Sequence, residues 1–402
     1  MTRLLDVDRR AVAALVALSI AAFCYVTVET LPIGLLAEIA EDLGVSQSRV
    51  GLLVTGYSVI VVVTTLPLVR VVARMPRRPL LLALLAVMVV ATALSAAATS
   101  YGLLLAARAA IALSQAVFWA IVAPLAAGMF PIEVRGRAMA VVFTGGSIGP
   151  MLGVPAGTWL GQQAGWHVAF LAVAGLGLLA FLTLAAALPS EPTRNAHAGQ
   201  GTSPDVRRYV LLLATSVFAV GGFFAVFTYT ASFVTMVAGM SAALLGPLLL
   251  ARGVADFGGI AAGGVLSDRN QRLSVILPIG LLTAVLVVMF ALGTNPWAAS
   301  AAIVVTGFAM GALIPALQNR VMEFAPGSTD TASAGNSIAF NVGIALGSSL
   351  GSLTLSQIGP RSVALTGAAL AAVALVVALA TTATAGEKAG KTLLRWGRSH
   401  PR

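Results

Sequence analysis

Apolar residues in this chain come in long blocks, not in the alternating or 3.6-residue stripes of a water-soluble fold. The blocks fall at 11–37, 49–72, 79–99, 102–129, 138–160, 166–188, 209–237, 242–266, 273–293, 297–321, 331–356 and 362–383. Each is long enough to cross a hydrocarbon layer of ~30 Å, which takes ~20 residues of helix. Polar residues gather in short connections between the blocks. The pattern predicts an all-α polytopic membrane protein with twelve transmembrane helices.

Composition agrees: 58% of residues are hydrophobic and 9% charged, with a mean hydropathy of +0.96. A soluble domain carries about a quarter of its residues charged. A net charge of +10 would suggest a nucleic-acid partner in a soluble protein, but the placement of the charges removes that reading. Of the 24 Lys and Arg, 20 lie in the tails and in alternate connections, among them Arg70, Arg74, Arg77, Arg78, Arg269, Arg272 and Arg320. This bias places both termini in the cytoplasm of a protein of the cell membrane, and basic loops facing anionic headgroups account for the charge. Cys24 is the one cysteine and lies within the first block, so neither an internal disulfide nor a cysteine metal site is expected. The basic start and apolar run at the N-terminus resemble a signal peptide. The run continues without a small-residue cleavage site and reads as a retained helix.

The one sizeable polar gap, 190–208, has the Pro, Gly, Ser and Thr content of a flexible linker. It divides the chain into a six-helix bundle at 1–189 and another at 209–383, with a basic tail at 384–402 read as either an interfacial helix or disordered. The halves echo each other. Glycines recur at 145, 149, 153, 157 and 161 in the fifth block, and at 343, 347 and 351 in the eleventh. The segment Val69–Arg78 after the second block is answered by Gly264–Arg272 after the eighth. Two parallel repeats with a site between them at mid-membrane form a transporter architecture, and one polypeptide holding both is expected to act as a monomer.

On these features the chain resembles a major facilitator superfamily transporter along essentially its whole length. Gly264-Val265-Leu266-Ser267-Asp268-Arg269 is similar to the superfamily's short cytoplasmic signature. There the resemblance implies a gate latch carried by Asp268 and Arg269; the first-half copy has Val69 and Ala73 in place of the glycine and the aspartate. Val28-Glu29-Thr30-Leu31-Pro32, Leu105-Ala106-Ala107-Arg108 and Gly145–Gly157, which includes Gly149-Pro150, resemble the drug and sugar:proton antiporters, especially the arabinose type of sugar exporter. The last segment is close to the motif associated with antiport. The resemblance implies export of a small organic solute in exchange for protons. A proton-coupled importer and a non-transporting sensor are the alternatives.

Four ionisable residues sit inside apolar blocks: Glu29, Arg108, Arg252 and Asp256. Each would cost ~2.5–3.5 kcal/mol unpaired at the bilayer centre, so each should meet a partner or a wet cavity. Glu29 lies about 8 Å outward of the midpoint of its block. By resemblance it takes part in proton coupling or substrate binding; otherwise it is a structural carboxylate. Arg108 either assists that coupling, organises helix packing or snorkels to the interface. Arg252 and Asp256 stand four residues apart on one helix face, as a second titratable site, a substrate contact or an internal ion pair.

Phe223 and Phe227 share a face of the seventh block and are candidates for the substrate cavity, with Tyr57, Gln115, Trp119, Arg252 and Asn341. Asn336 and Asn341 are expected to hydrogen-bond between helices. Gly149 and Pro150 belong to a smooth, kinked stripe on which a neighbouring helix can move. No nucleophile–base pair, metal cluster or phosphate loop appears, so neither an enzyme nor a cofactor is expected. The partners expected are the solute, protons and lipid.

Overall fold

The computed structural model describes residues 9–72, 75–130, 135–188, 202–327 and 329–399. Arg74 and most of the expected linker fall outside this set, as do the side chains of Asp268 and of the tail beyond Thr381.

Among the described residues, eleven helices are long and apolar enough to cross a membrane. In the first half these are α1 (Arg9–Gly34), α3 (Gln47–Val72), α4 (Arg77–Ala96), α5 (Tyr101–Gly128) and α8 (Trp166–Ala187), with a short α2 (Leu36–Asp42) after α1. In the second half they are α9 (Val206–Phe227), α11 (Leu245–Arg269), α12 (Leu273–Leu292), α13 (Pro296–Glu323), α14 (Thr329–Gln357) and α15 (Ser362–Ser399).

The fifth block forms its crossing from three pieces: α6 (Arg135–Ile148), a wide π turn at Gly149–Gly153, and α7 (Val154–Ala164). The kink expected at Pro150 takes the form of this π turn, since neither Pro150 nor Pro155, at the start of α7, has an N–H to give to the helix ladder. The seventh block is also interrupted. After α9 comes a single turn, α10 (Thr230–Ser232), and then a second π turn at Phe233–Val237. The backbone of α15 stays helical to Ser399, well past the expected end of the last span. Asn295 starts α13 by accepting from the N–H of Trp297 at 2.9 Å and of Ala298 at 3.3 Å, with Pro296 at the first helical position. Gly165, at φ 92°, joins α7 to α8 in one residue, a backbone conformation that a side chain would strain.

The glycine stripe of the fifth block packs on α1. A Cβ added at Gly145 would run into the Ser19 carbonyl, at Gly149 into Val26 and the Phe23 carbonyl, at Gly153 into Thr27, at Gly157 into Leu31 and at Gly161 into Leu35. The partners advance in near-regular steps of one turn, as two backbones lying side by side require. The second half repeats the arrangement. Gly343, Gly347 and Gly351 on α14 lie against the carbonyls of Val217, Gly221 and Ala225 on α9. A third close seam joins α11 to α13, where Gly259 and Gly263 meet the backbone at Phe308 and Ala312. In return, Gly307 and Gly311 meet the carbonyls of Arg252 and Asp256.

The halves meet at the end of the molecule away from the chain termini. Ser48 and Ser352 pair at 2.6 Å, Thr55 and Ser348 at 2.7 Å, Ser232 donates to Gln47 Oε1 at 2.5 Å, and Gln162 donates to the Ala242 carbonyl at 2.9 Å. Tyr229 fills the space that a side chain at Gly51 would need.

The α11–α13 seam makes a direct test. Gly311→Val should cost about 3 kcal/mol or more, because backbone must part from backbone. Gly264→Ala on the facing helix α11, with open space around it, should be neutral or stabilising by up to ~1 kcal/mol. Denaturant unfolding of the purified protein in detergent reads both; equal effects would disprove the close seam.

Candidate functional site

The site begins with a proline. Pro32 lies inside α1 and has no N–H, so the carbonyl of Val28, four residues earlier, loses its helical donor. Inside a membrane no bulk water can replace that donor. Arg108 does: its Nη1 donates to the Val28 carbonyl at 2.9 Å and its Nη2 to the Glu29 carbonyl at 2.8 Å. Arg108 is 1% exposed, and Tyr57 presents its ring 5.1 Å from Cζ. Arg108 therefore does not snorkel. Its hydrogen bonds go to the backbone of α1, and among the described residues it makes no ion pair with the Glu29 carboxylate.

Gln115 stands two turns along α5 from Arg108, on the same face. Its Nε2 donates to Glu29 Oε2 at 2.7 Å, and its Oε1 accepts from the Tyr57 hydroxyl at 2.7 Å. Three helices thus contribute to one chain of bonds, from Tyr57 on α3 through Gln115 on α5 to Glu29 on α1. Glu29 is the most exposed of the set at 9%, against 3% for Gln115 and 1% for Tyr57. Glu29 is thus the residue of the chain closest to solvent. Beside it, the Tyr25 hydroxyl donates to Ser114 Oγ at 3.2 Å, binding α1 to α5 once more. Trp119 is half-buried, edge-on to Phe118 at 5.4 Å and close to Gly146 on α6.

The second half holds a separate cluster. Phe223 and Phe227 stack at 4.9 Å, as their spacing predicts. Arg252 does not join Asp256 in an ion pair: its Cζ sits 4.2 Å from the Phe227 ring centre and 5.0 Å from that of Phe223. The i,i+4 spacing puts both charges on one side of α11, but the aromatic face of α9 captures the guanidinium.

Asn341 also departs from expectation. Its Nδ2 donates to the Ser337 carbonyl of its own helix at 3.0 Å instead of crossing to a neighbour. Asn336 does cross, accepting from Ser216 at 2.8 Å and donating to Gln318 at 2.7 Å. Gly149 and Pro150 lie in the π turn beside α1. Arg269 is exposed at the end of α11, and two residues on Gln271 accepts from Arg320 at 2.8 Å, which ties the loop to α13.

Several contacts were not foreseen. The hydroxyl pairs between the halves, Ser48 with Ser352 and Thr55 with Ser348, carry no sequence signal beyond being polar in or beside an apolar block. The glycines of α11 and α13 do carry one, since 259/263 and 307/311 each have the four-residue spacing already noted in the fifth block.

Comparison with known proteins decides the family. The profile of the Major Facilitator Superfamily matches residues 18–334 and 259–395. The chain belongs to the Major Facilitator Superfamily. Among curated superfamily members it is 36% identical over 358 residues to "Uncharacterized MFS-type transporter YtbD" of Bacillus subtilis, covering 86% of this chain and 89% of that one. It is 32% identical over 359 residues to a "Probable sugar efflux transporter" of Helicobacter acinonychis, covering 89% and 92%. Among solved superfamily structures it matches a bacterial homologue of the human lysosomal transporter Spinster, inward-facing and occupied. That match has a TM-score of 0.72 at 15% identity over 92% of this chain and 96% of that one. It also matches the human organic anion transporter MFSD10, with a TM-score of 0.63 at 17% identity over 92% and 99%. The chain is thus a multi-pass membrane transporter of this superfamily, and the twelve-helix, two-bundle fold is its architecture.

If Arg108 serves the carbonyl freed by Pro32, the two residues are coupled. Pro32→Ala restores an N–H and should stabilise the Arg108→Met protein by about 1–3 kcal/mol more than it stabilises the wild type. Equal increments in the double-mutant cycle, read by unfolding in detergent, would show that the two act independently.

Proposed function

We propose that this transporter exports a small sugar-like solute in exchange for protons, with both termini in the cytoplasm. The observation that carries the proposal is the chain Tyr57–Gln115–Glu29. It ends on a carboxyl that is bound by a neutral amide and free of an ion-pair partner among the described residues. A carboxylate locked to an arginine would hold its charge; one bound by an amide can take up and release a proton without breaking a salt bridge. The names of the sugar efflux relatives support the direction and the solute class, and the glycine–proline stripe of the fifth block supports antiport.

In this reading the protein is closed on its outer side, where the hydroxyl pairs and Tyr229 join the halves. Export would proceed by rocking one half against the other about this seam. Protonation of Glu29 from outside and its release inside would drive the cycle, with solute bound in the alternate phase. Tyr57, Gln115 and Trp119 would line the solute path in the first half, and Asp268 and Arg269 would help to latch the inner side.

Inside-out vesicles with an imposed proton gradient and a quenched pH dye test the function. Pentoses, hexoses and thiogalactosides are added to wild type and to Glu29→Gln. Proton release on adding one sugar, reduced at least about tenfold in the variant, is expected. Release that persists in Glu29→Gln would remove that carboxyl from the coupling path.

Gly51→Leu tests the outer seam. Its side chain would displace Tyr229, so a cysteine placed by Ser48→Cys should react faster with a membrane-impermeant thiol reagent applied from outside. The native Cys24 is buried and stays silent. Unchanged labelling would show that the seam does not close the outer side.

A further inference from the structure

Arg252 stands out among the buried charges because nothing described accepts its hydrogen bonds. It is 5% exposed, and its Nε is enclosed without a partner. Among the described residues it makes no hydrogen bond and no ion pair, with Asp256 one turn further along α11. A guanidinium carries five N–H donors. The rings of Phe223 and Phe227 compensate part of its charge, but they accept none of these hydrogens in the manner of an oxygen or a halide. Arg108, its counterpart in the first half, spends its donors on two carbonyls. An unmatched cation in an apolar interior is costly.

Arg252 also lines a cavity. The space is lined by Phe223, Phe227, Thr230, Met289 and Thr306 from the four surrounding elements of the second half and is partly open; the centre of a water-sized sphere has about 10 Å³ to move in. That is room for about one water-sized occupant. A bulky organic anion does not fit its narrow part. A water would satisfy one N–H and add no counter-charge to the partial compensation from the two rings and the nearby Asp256. The Thr230 and Thr306 hydroxyls already donate to the carbonyls of Phe227 at 2.9 Å and Ile303 at 2.6 Å. The free donors of the cavity therefore come from Arg252.

We propose that Arg252 binds a small monovalent anion of the halide class, chloride in the cell, inside the second bundle. The ion would neutralise the guanidinium and join α9, α11, α12 and α13 around one charge. The site lies apart from the Glu29 chain and does not depend on the direction or the solute of transport.

The test uses the purified full-length transporter in detergent, with sodium chloride replaced by sodium gluconate at equal ionic strength. The wild-type Tm should rise by about 2 °C or more as chloride replaces gluconate, since a ligand that binds only the folded state stabilises it. Arg252→Met should show no such rise. Wild-type crystals grown in bromide should give an anomalous peak beside Arg252, a measurement that stands even if the variant does not fold. Equal Tm in the two salts, the same rise in Arg252→Met, or no bromide peak would each overturn the site. Vesicle transport of sugars at constant chloride reports on the export reading separately.

Discussion

The carbonyl of Val28 sets the terms for the first half of this transporter. A proline four residues later takes away its donor, and the surrounding lipid cannot supply another. Arg108 meets that need, and in doing so it fixes the height and rotation of α5 against α1. Gln115, on the same face of α5, is then delivered to the Glu29 carboxylate, and Tyr57 is delivered to Gln115. The polar chain is thus a consequence of a backbone defect. An arginine that looks like a counter-charge for a carboxylate is occupied with main-chain oxygens, and the carboxylate is left to a neutral partner.

The two halves share a backbone plan and differ in what they place on it. In both, a glycine stripe brings one helix close to the first helix of its bundle, α6–α7 on α1 and α14 on α9. Close approach leaves little tolerance for side chains at the seam, which is why the repeat persists in glycine positions while other residues diverge. The first half uses its buried polar residues in a connected chain. In the second, Arg252 is stacked on two phenylalanines beside a small cavity, and Asn336 joins α9, α13 and α14 through amide and hydroxyl bonds.

Most of the fold was legible because length and apolarity are the only requirements for crossing a bilayer. The spans read from the apolar blocks agree with the helices to within a few residues for α3, α4, α5, α8, α12 and α13. The breaks in the fifth and seventh blocks were less visible, since hydropathy does not register which backbone bonds are made; the prolines at 150 and 155 pointed to the first, and nothing comparable marked the turn at Phe233–Val237. Glu29 and Arg108 were legible from the cost of burying them. That Gln115 bridges Glu29 to Tyr57 depends on how α3 and α5 are rotated, which no single block encodes. Of the readings open for Arg252 and Asp256, the internal ion pair does not form, for a related reason: spacing on one helix says that two charges share a side, while the neighbouring helix decides where a long side chain goes.

The seam between the halves is built from serine and threonine hydroxyls, two glutamines and a tyrosine against glycine. Neutral hydrogen bonds of this kind are each worth about 0.5–1.5 kcal/mol, only one to a few times thermal energy. A gate held by ion pairs would have to strip and rehydrate charges at every stroke. One held by hydroxyls can part and re-form with little change in solvation, so its energy landscape is shallow. For a machine that must visit both faces of the membrane many times, a fastening that weak is a means of keeping the cycle fast.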